Sequence, residues 1–383
     1  MIYRTLGNSG LQVSAISLGS WTTYGGSVEE SDATAIVHRA FELGINLFDT
    51  ADVYVRGNAE TVLGRALRDL PREQLVIATK CMGRVWDGPL GAGLSRKHIF
   101  DAIDQSLKRL GVDYVDLYQL HAPDPRTPLS TSVRALASLK RDGLIESIGL
   151  CNVNVGQIDE ARSITEIAAV QAEVSVWNDD NFLSGVAEYC IANGILLLAH
   201  RPLGGSQRRR RTLSDPVLTT VAARHDATPF EIALAWLRDL SSLVVPLPGP
   251  TRVETAQSAA RAHEIVLTDD DRTLLDERFP SGRALRLRRS PGYRPAPEEE
   301  GQASRTASED AGEVVLIMGL PGAGKSTLAE SYVARGYERL NRDERGGSLR
   351  ALLPSITSGS SRTVLDNTYV SRKSRAAVVQ TAA

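Results

Sequence analysis

A chain of 383 residues with 42% hydrophobic content can bury a large core, and its length fits one big domain plus a smaller one. Lys+Arg of 44 against Asp+Glu of 46 leaves a formal net charge of -2, which excludes a global field recruiting nucleic acid or an anionic membrane; any basic site must be local. Three cysteines, Cys81, Cys151 and Cys190, suit neither a disulfide framework nor a zinc site and read as buried small hydrophobes. The start at Met1 lacks the apolar stretch of a secretion signal, and runs such as Ile195 to Ala199 are too short to span a bilayer, so the expected location is the cytoplasm.

Short β-rich runs then recur in order: Val13 to Leu18, Ile45 to Phe48, Leu75 to Thr79, Tyr114 to Leu120, Ile145 to Leu150, Ala168 to Val174, Ile195 to Ala199 and Leu243 to Leu247. Helical periodicity lies between most of them, as in Ile99, Ile103, Leu107 and Leu110, which share one face. Strands alternating with helices imply a parallel sheet, and these repeats predict an α/β fold of the (β/α)8 TIM-barrel type over residues 1–280. An open doubly wound sheet is the competing architecture. The barrel is preferred because four polar residues, Asp49, Tyr54, Lys80 and His121, fall where successive runs break into loops, and a barrel converges such positions on one mouth.

That quartet could protonate a carbonyl. A tyrosine phenol, with a reference pKa of about 10, needs a neighbouring ammonium if it is to release its proton easily, and Lys80 can supply one. Asp49 would hold the lysine charged and in place, and His121 could hydrogen-bond the substrate oxygen. Singly, each has a plainer reading: a helix cap, a half-buried aromatic, a solvated charge and a satisfied strand-end histidine.

The segments Tyr3-Arg4-Thr5-Leu6-Gly7, Phe48-Asp49-Thr50-Ala51 with Tyr54, Thr79-Lys80, Gln119-Leu120-His121 and Ile148-Gly149-Leu150-Cys151-Asn152 together resemble the aldo-keto reductases, over about Tyr3 to Phe279. The resemblance implies that Asp49, Tyr54, Lys80 and His121 form a catalytic tetrad with Tyr54 as general acid, acting on a small-molecule carbonyl. It also implies a nicotinamide cofactor held without a Rossmann fold, in keeping with the lack of a credible Gly-x-Gly-x-x-Gly fingerprint after an early strand. Asn152 and Gln171 match positions that hold the carboxamide, and Gly19, Ser20 and Trp21 are placed with the cofactor contacts. Pro202, Leu203 and Gly204 match the pyrophosphate loop. Gly249, Thr251 and Arg252 match the adenosine 2′-phosphate site, where an arginine favours NADP(H). The chain departs from the family at His200, where a tyrosine usually stacks on the nicotinamide, and at Ser258 and Ala259, where acid and amide groups contact adenine. Arg208 to Arg211 read as a solvated charge run or an anion clamp.

Residues 281–312, rich in Arg, then Pro and Glu, read as a flexible linker. Apolar order resumes at Val314 to Met318 and runs into Gly319-Leu320-Pro321-Gly322-Ala323-Gly324-Lys325-Ser326-Thr327, the pattern G-x-x-x-x-G-K-[ST] after a strand and before a helical run. Such a loop cradles phosphates at a helix N-terminus, so Gly319, Gly322, Gly324, Lys325, Ser326 and Thr327 are the expected ATP contacts, with Mg2+ on Ser326. Leu340-Asn341-Arg342-Asp343 and Val364-Leu365-Asp366-Asn367-Thr368 resemble P-loop kinases of the polynucleotide kinase type. By that resemblance Asp343 is the base, Asp366 assists the metal, and the acceptor is a nucleic-acid or small-molecule hydroxyl. Residues 313–383 are shorter than a complete kinase of this sort, so a partial P-loop domain is expected. Alternative functions are a redox-sensing barrel that regulates the kinase, or a 5′-hydroxyl kinase with the barrel as scaffold.

Overall fold

The computed structural model describes residues 1–21, 23–82, 93–287, 314–317, 329–330, 332–340 and 362–366. The chain divides into two units, Met1–Tyr293 and Arg294–Ala383.

The first unit opens with an antiparallel hairpin, β1 (Tyr3–Thr5) and β2 (Gln12–Ser14). An eight-stranded parallel sheet follows, with neighbours in chain order. Its strands are β3 (Leu18–Gly19), β4 (Leu47–Asp49), β5 (Val76–Cys81), β6 (Val115–Leu120), β7 (Ile145–Cys151), β8 (Ala169–Glu173), β9 (Leu196–His200) and β10 (Val244–Leu247). The ends of the sheet meet: Ser17 N–H donates to Pro246 O at 3.0 Å and Gly19 N–H to Pro248 O at 2.9 Å. The result is a nearly closed barrel of the (β/α)8 kind.

Helices wrap it in order: α1 (Glu30–Glu42), α2 (Asn58–Leu67), α3 (Arg96–Leu110), α4 (Leu129–Arg141), α5 (Val155–Arg162), α6 (Asp180–Leu183), α7 (Val186–Ala192), α8 (Arg209–Ser214), α9 (Pro216–Arg224), α10 (Pro229–Leu240), α11 (Val253–Arg261), α12 (Asp269–Arg278) and α13 (Pro280–Leu287). Their boundaries follow local chemistry. Ser95 caps α3, its Oγ accepting from His98 N–H, and Gly111 ends it in the left-handed region at φ 69°. The apolar face read from the sequence is the buried one, through Ile99, Ile103 and Leu110.

Two sequence expectations change. The run Val13 to Leu18 is not one strand. Its first part pairs with β1, and the barrel strand begins at Leu18. The reason is packing: Leu6 and Val13 join Leu47, Val76, Ala78, Leu117, Leu196, Leu198 and Val245 in a core inside the barrel, so the hairpin plugs one end. The expected linker also begins as helix, since α13 runs to Leu287 with Leu285 buried, and Gly282 lets it approach the fully buried Trp236. Residues 288–313 lie outside the described residues.

The second unit contains a parallel sheet of β11 (Val314–Ile317), β12 (Glu338–Leu340) and β13 (Thr363–Asp366) in the order β11-β13-β12. Val364, Ala329 and Tyr337 form its small core. Gly319, Gly322, Gly324, Lys325, Ser326, Thr327 and Asp343 lie outside the described residues. No described helix is long and apolar enough to cross a membrane.

Candidate active site

Alternation along the barrel strands builds the site. Side chains two apart share a face, so each inward apolar residue of the lower layer predicts what stands above it. Leu47 leads to Asp49, Val76 and Ala78 to Lys80, and Leu117 to Gln119 and then His121. Ala169 leads to Gln171, and Leu196 and Leu198 to His200. The plugged end is thus apolar and the opposite mouth polar.

There the structure brings the quartet together. Lys80, with no solvent exposure, donates from Nζ to Asp49 Oδ1 at 2.5 Å and to Thr50 O at 2.7 Å, and reaches Tyr54 Oη at 3.5 Å. Asp49 Oδ2 accepts from Gln119 Nε2 at 3.0 Å and Gln171 Nε2 at 2.9 Å. The rings of Tyr54 and His121 meet edge to face at 5.6 Å, and Trp21 stacks on Tyr54 at 6.4 Å. After Tyr54 the backbone enters the left-handed region at Val55 (φ 50°) and Arg56 (φ 55°) before Gly57 (φ 85°) starts α2. This conformation is costly for a β-branched residue.

Burial opposes the charge on Lys80, but Asp49 above all, with Tyr54 and Cys151, holds its pKa above the ordinary range. Tyr54 behaves differently from the sequence expectation. Burial raises its pKa more than Lys80 lowers it, and Asp49 adds to the rise. The phenol therefore keeps its proton, the state required of an acid. Burial, then Lys80 and His200, pushes His121 down to about 3. His200 is lowered to about 4 by burial, then Lys80 and Arg201. Both imidazoles are neutral near pH 7.

The remaining predicted residues of the barrel, Ser258 in α11 excepted, also sit at strand carboxyl ends or in the loops that follow them. Asn152, at φ 57°, donates from Nδ2 to His121 O at 2.9 Å, and its Oδ1 lies 3.3 Å from His200 Nε2. Pro202, Leu203 and Gly204 follow β9, with Gly204 at φ 73°. A Cβ there would meet Arg208 Cγ at 2.7 Å and Trp177 Cδ1 at 2.9 Å, so the turn requires glycine. Arg211 lies 4.2 Å over the Trp177 ring, while Arg208, Arg209 and Arg210 are exposed. Gly249 and Thr251 follow β10. Arg252 is exposed and makes no ion pair with any described residue, its backbone N–H capped by Thr255 Oγ1 at 3.2 Å. Ser258 faces elsewhere: its Oγ donates to Glu231 Oε1 at 2.8 Å, which Arg261 also grips.

A nicotinamide dinucleotide fits these groups. Amides with one donor and one acceptor side match a carboxamide, and Ser20 Oγ beside Gly19 is buried without a hydrogen-bond partner among the described residues. No His, Cys, Asp and Glu group able to hold a metal occurs among the described residues.

Sequence reasoning missed two residues. Gln119 was legible as the inward position between Leu117 and His121. Asp52, fully buried with Oδ1 unpartnered and Oδ2 accepting from Met82 N–H at 3.3 Å, carried no signal beyond its place between Asp49 and Tyr54. Burial, then Glu60, raises its pKa to about 7.

A barrel with this polar mouth defines an oxidoreductase of the carbonyl-reducing class. Residues 15–278 match the model of the aldo/keto reductase family, and the chain belongs to that family. It is 32% identical over 316 residues to the NADH-specific methylglyoxal reductase of Escherichia coli, covering 71% of this chain and 96% of that protein. A probable aldo-keto reductase 1 of Glycine max is 30% identical over 308 residues, covering 72% and 88%. A putative voltage-gated potassium channel subunit beta of Schizosaccharomyces pombe is 41% identical over 186 residues, covering 48% and 54%. The crystal structure of a thermostable aldo-keto reductase with the inhibitor epalrestat superposes with a TM-score of 0.64 at 32% identity, covering 73% of this chain and all of that one. Proteins of this family use nicotinamide cofactors.

Proposed function

We propose that the barrel reduces a small aldehyde or ketone to its alcohol, using NADPH, with Tyr54 as general acid. The observation that carries this reading is the buried Lys80 set between Asp49 and Tyr54. A bound nicotinamide supplies the reducing electrons. Tyr54 gives its proton to the carbonyl oxygen, the ammonium of Lys80 offsets the phenolate left behind, and Asp49 anchors that ammonium. His121, neutral, donates a hydrogen bond that orients the carbonyl. Asn152 and Gln171 would hold the carboxamide, His200 would lie against the ring, and Gly19, Ser20, Trp21, Pro202, Leu203, Gly204, Gly249 and Thr251 would line the rest.

The preference for NADPH rests on Arg252, an exposed guanidinium with no ion pair among the described residues, at the loop after β10. The Escherichia coli relative is named NADH-specific, so both cofactors are compared: purified protein is assayed with methylglyoxal against NADPH and NADH. Higher kcat/KM with NADPH, falling about tenfold or more in R252A, is expected. Equal use of both, unchanged in R252A, would sink the NADPH assignment. No turnover of any aldehyde with either cofactor would sink the reductase.

A second reading concerns the other unit, as an ATP-binding segment with Mg2+ on Ser326 and Asp366 and Asp343 as base. What favours it is the parallel order β11-β13-β12, with Asp366 in register with Ile317 just before the glycine-rich run. Parallel α/β sheets bind ligands at their carboxyl ends. ATP binding by the full chain, lost in Lys325→Ala, is expected; labelled phosphate transfer to a hydroxyl would extend it to a kinase. A cytoplasmic location belongs to the same proposal.

A further inference from the structure

We propose that Gln119 is a positioning residue that ties the proton-delivering end of the site to its carboxamide-holding end, by fixing Asp49 and Gln171 in one hydrogen-bonded unit. This rests on the reductase reading above.

Gln119 is fully buried inside the barrel, where an amide must find partners for both its donors and its acceptor. Its Nε2 donates to Asp49 Oδ2 at 3.0 Å. Its Oε1 accepts from Cys151 Sγ at 3.6 Å and lies 3.5 Å from Gln171 Nε2. Turning the amide over would set its carbonyl against a carboxylate and its NH2 against donors, so chemistry allows one orientation.

Neighbouring strands make room for it. A Cβ on Gly149 of β7 would come within 2.7 Å of Gln119 Cγ. Gly149 is paired with Gln119 across the sheet, and Lys80 is paired with Gln119 on the other side. The site is therefore shaped around this side chain.

The consequence follows from sharing. Gln119 and Gln171 give their Nε2 groups to the same oxygen of Asp49, while Lys80 takes the other. With Nε2 so engaged, Gln171 presents its Oε1 as the acceptor for a carboxamide N–H. Loss of Gln119 leaves Asp49 short of a donor and Gln171 without the neighbour that holds its plane. Misplacement of under an ångström at a reacting group is enough to slow turnover. Both ends of the site then loosen from one substitution that touches neither substrate nor cofactor.

The test uses the full chain and the variants Q119M, Q171M, Q119M/Q171M and C151A. NADPH dissociation constants come from fluorescence titration, and kcat and KM from reduction of methylglyoxal. Q119M is expected to lower kcat about tenfold with KM for the carbonyl within about twofold, and to weaken NADPH about threefold. In the double variant, NADPH affinity falls by less than the product of the single effects, because the two amides act as a unit. C151A, which removes the thiol donor to Gln119 and leaves Asp49, Gln119 and Gln171 in place, gives a smaller fall in kcat and NADPH affinity together and decides the matter should Q119M not fold. Wild-type kcat and NADPH affinity in Q119M, multiplicative single effects, or an unchanged C151A in the absence of folded Q119M would each overturn the inference while the reductase stands. A wild type with no turnover overturns both.

Discussion

Lys80 Nζ lies 2.5 Å from Asp49 Oδ1, with the lysine side chain wholly out of solvent and the aspartate 2% exposed. Two charges so enclosed are stable only as a pair. K80M strands a buried carboxylate and should cost about 3–5 kcal/mol of stability as well as nearly all turnover. D49N/K80M removes both charges and should regain most of the stability but none of the activity. Urea unfolding beside initial rates checks both; a K80M protein as stable as wild type would show that the pair is not enclosed.

Y54F separates chemistry from folding. The hydroxyl's contact in the site is Lys80 at 3.5 Å, so its loss should change stability by less than about 1 kcal/mol. Turnover should drop about 100-fold or more, with NADPH binding retained. Substantial turnover in Y54F would remove the phenol from its role.

His121 should not titrate in the working range. Its folded pKa, about 3, lies below the ordinary 6.5, so the unfolded chain binds the extra proton first. The stability this linkage supplies is present above pH 6.5 and is lost as pH falls towards 3. Nitrogen NMR shifts of the folded protein should report a neutral ring at pH 5, and kcat should show no limb near 6.5 from this residue. A charged ring at pH 6 would contradict the burial argument.

Asp52 has the opposite sign. Burial raises its folded pKa from 3.8 to about 7, so the native state holds the proton longer and stability declines as pH rises from about 4 to about 7. D52N mimics the protonated form and should be more stable than wild type at pH 8, on the order of a few kcal/mol, with the difference vanishing near pH 4. Thermal unfolding across that range measures it; a gap that does not depend on pH would refute it.

Most of the barrel was legible because its strands are short apolar runs at even spacing, and Asp49, Lys80 and His121 each interrupt one. The hairpin was not, since Val13 to Leu18 reads as one run and only pairing with Tyr3 to Thr5 divides it. Helix α13 was hidden by the arginines after Phe279, whose composition suggests a linker although Leu285 packs into the core. Gln119 was overlooked for a different reason. An amide between two apolar neighbours looks like strand filler until the carboxylate two strands away is known. The raised pKa of Tyr54 could not be read at all, because burial is a property of the assembled mouth.

The left-handed pair Val55 and Arg56 sits directly after Tyr54, and its cost, of order 1–3 kcal/mol per residue, is borne by the rest of the fold. Glycine at either position would relieve that cost, and a search for thermostable variants would be drawn there early. Each such gain would loosen the backbone beside Tyr54. Breeding for heat resistance and breeding for speed would therefore pull this short stretch in opposite directions.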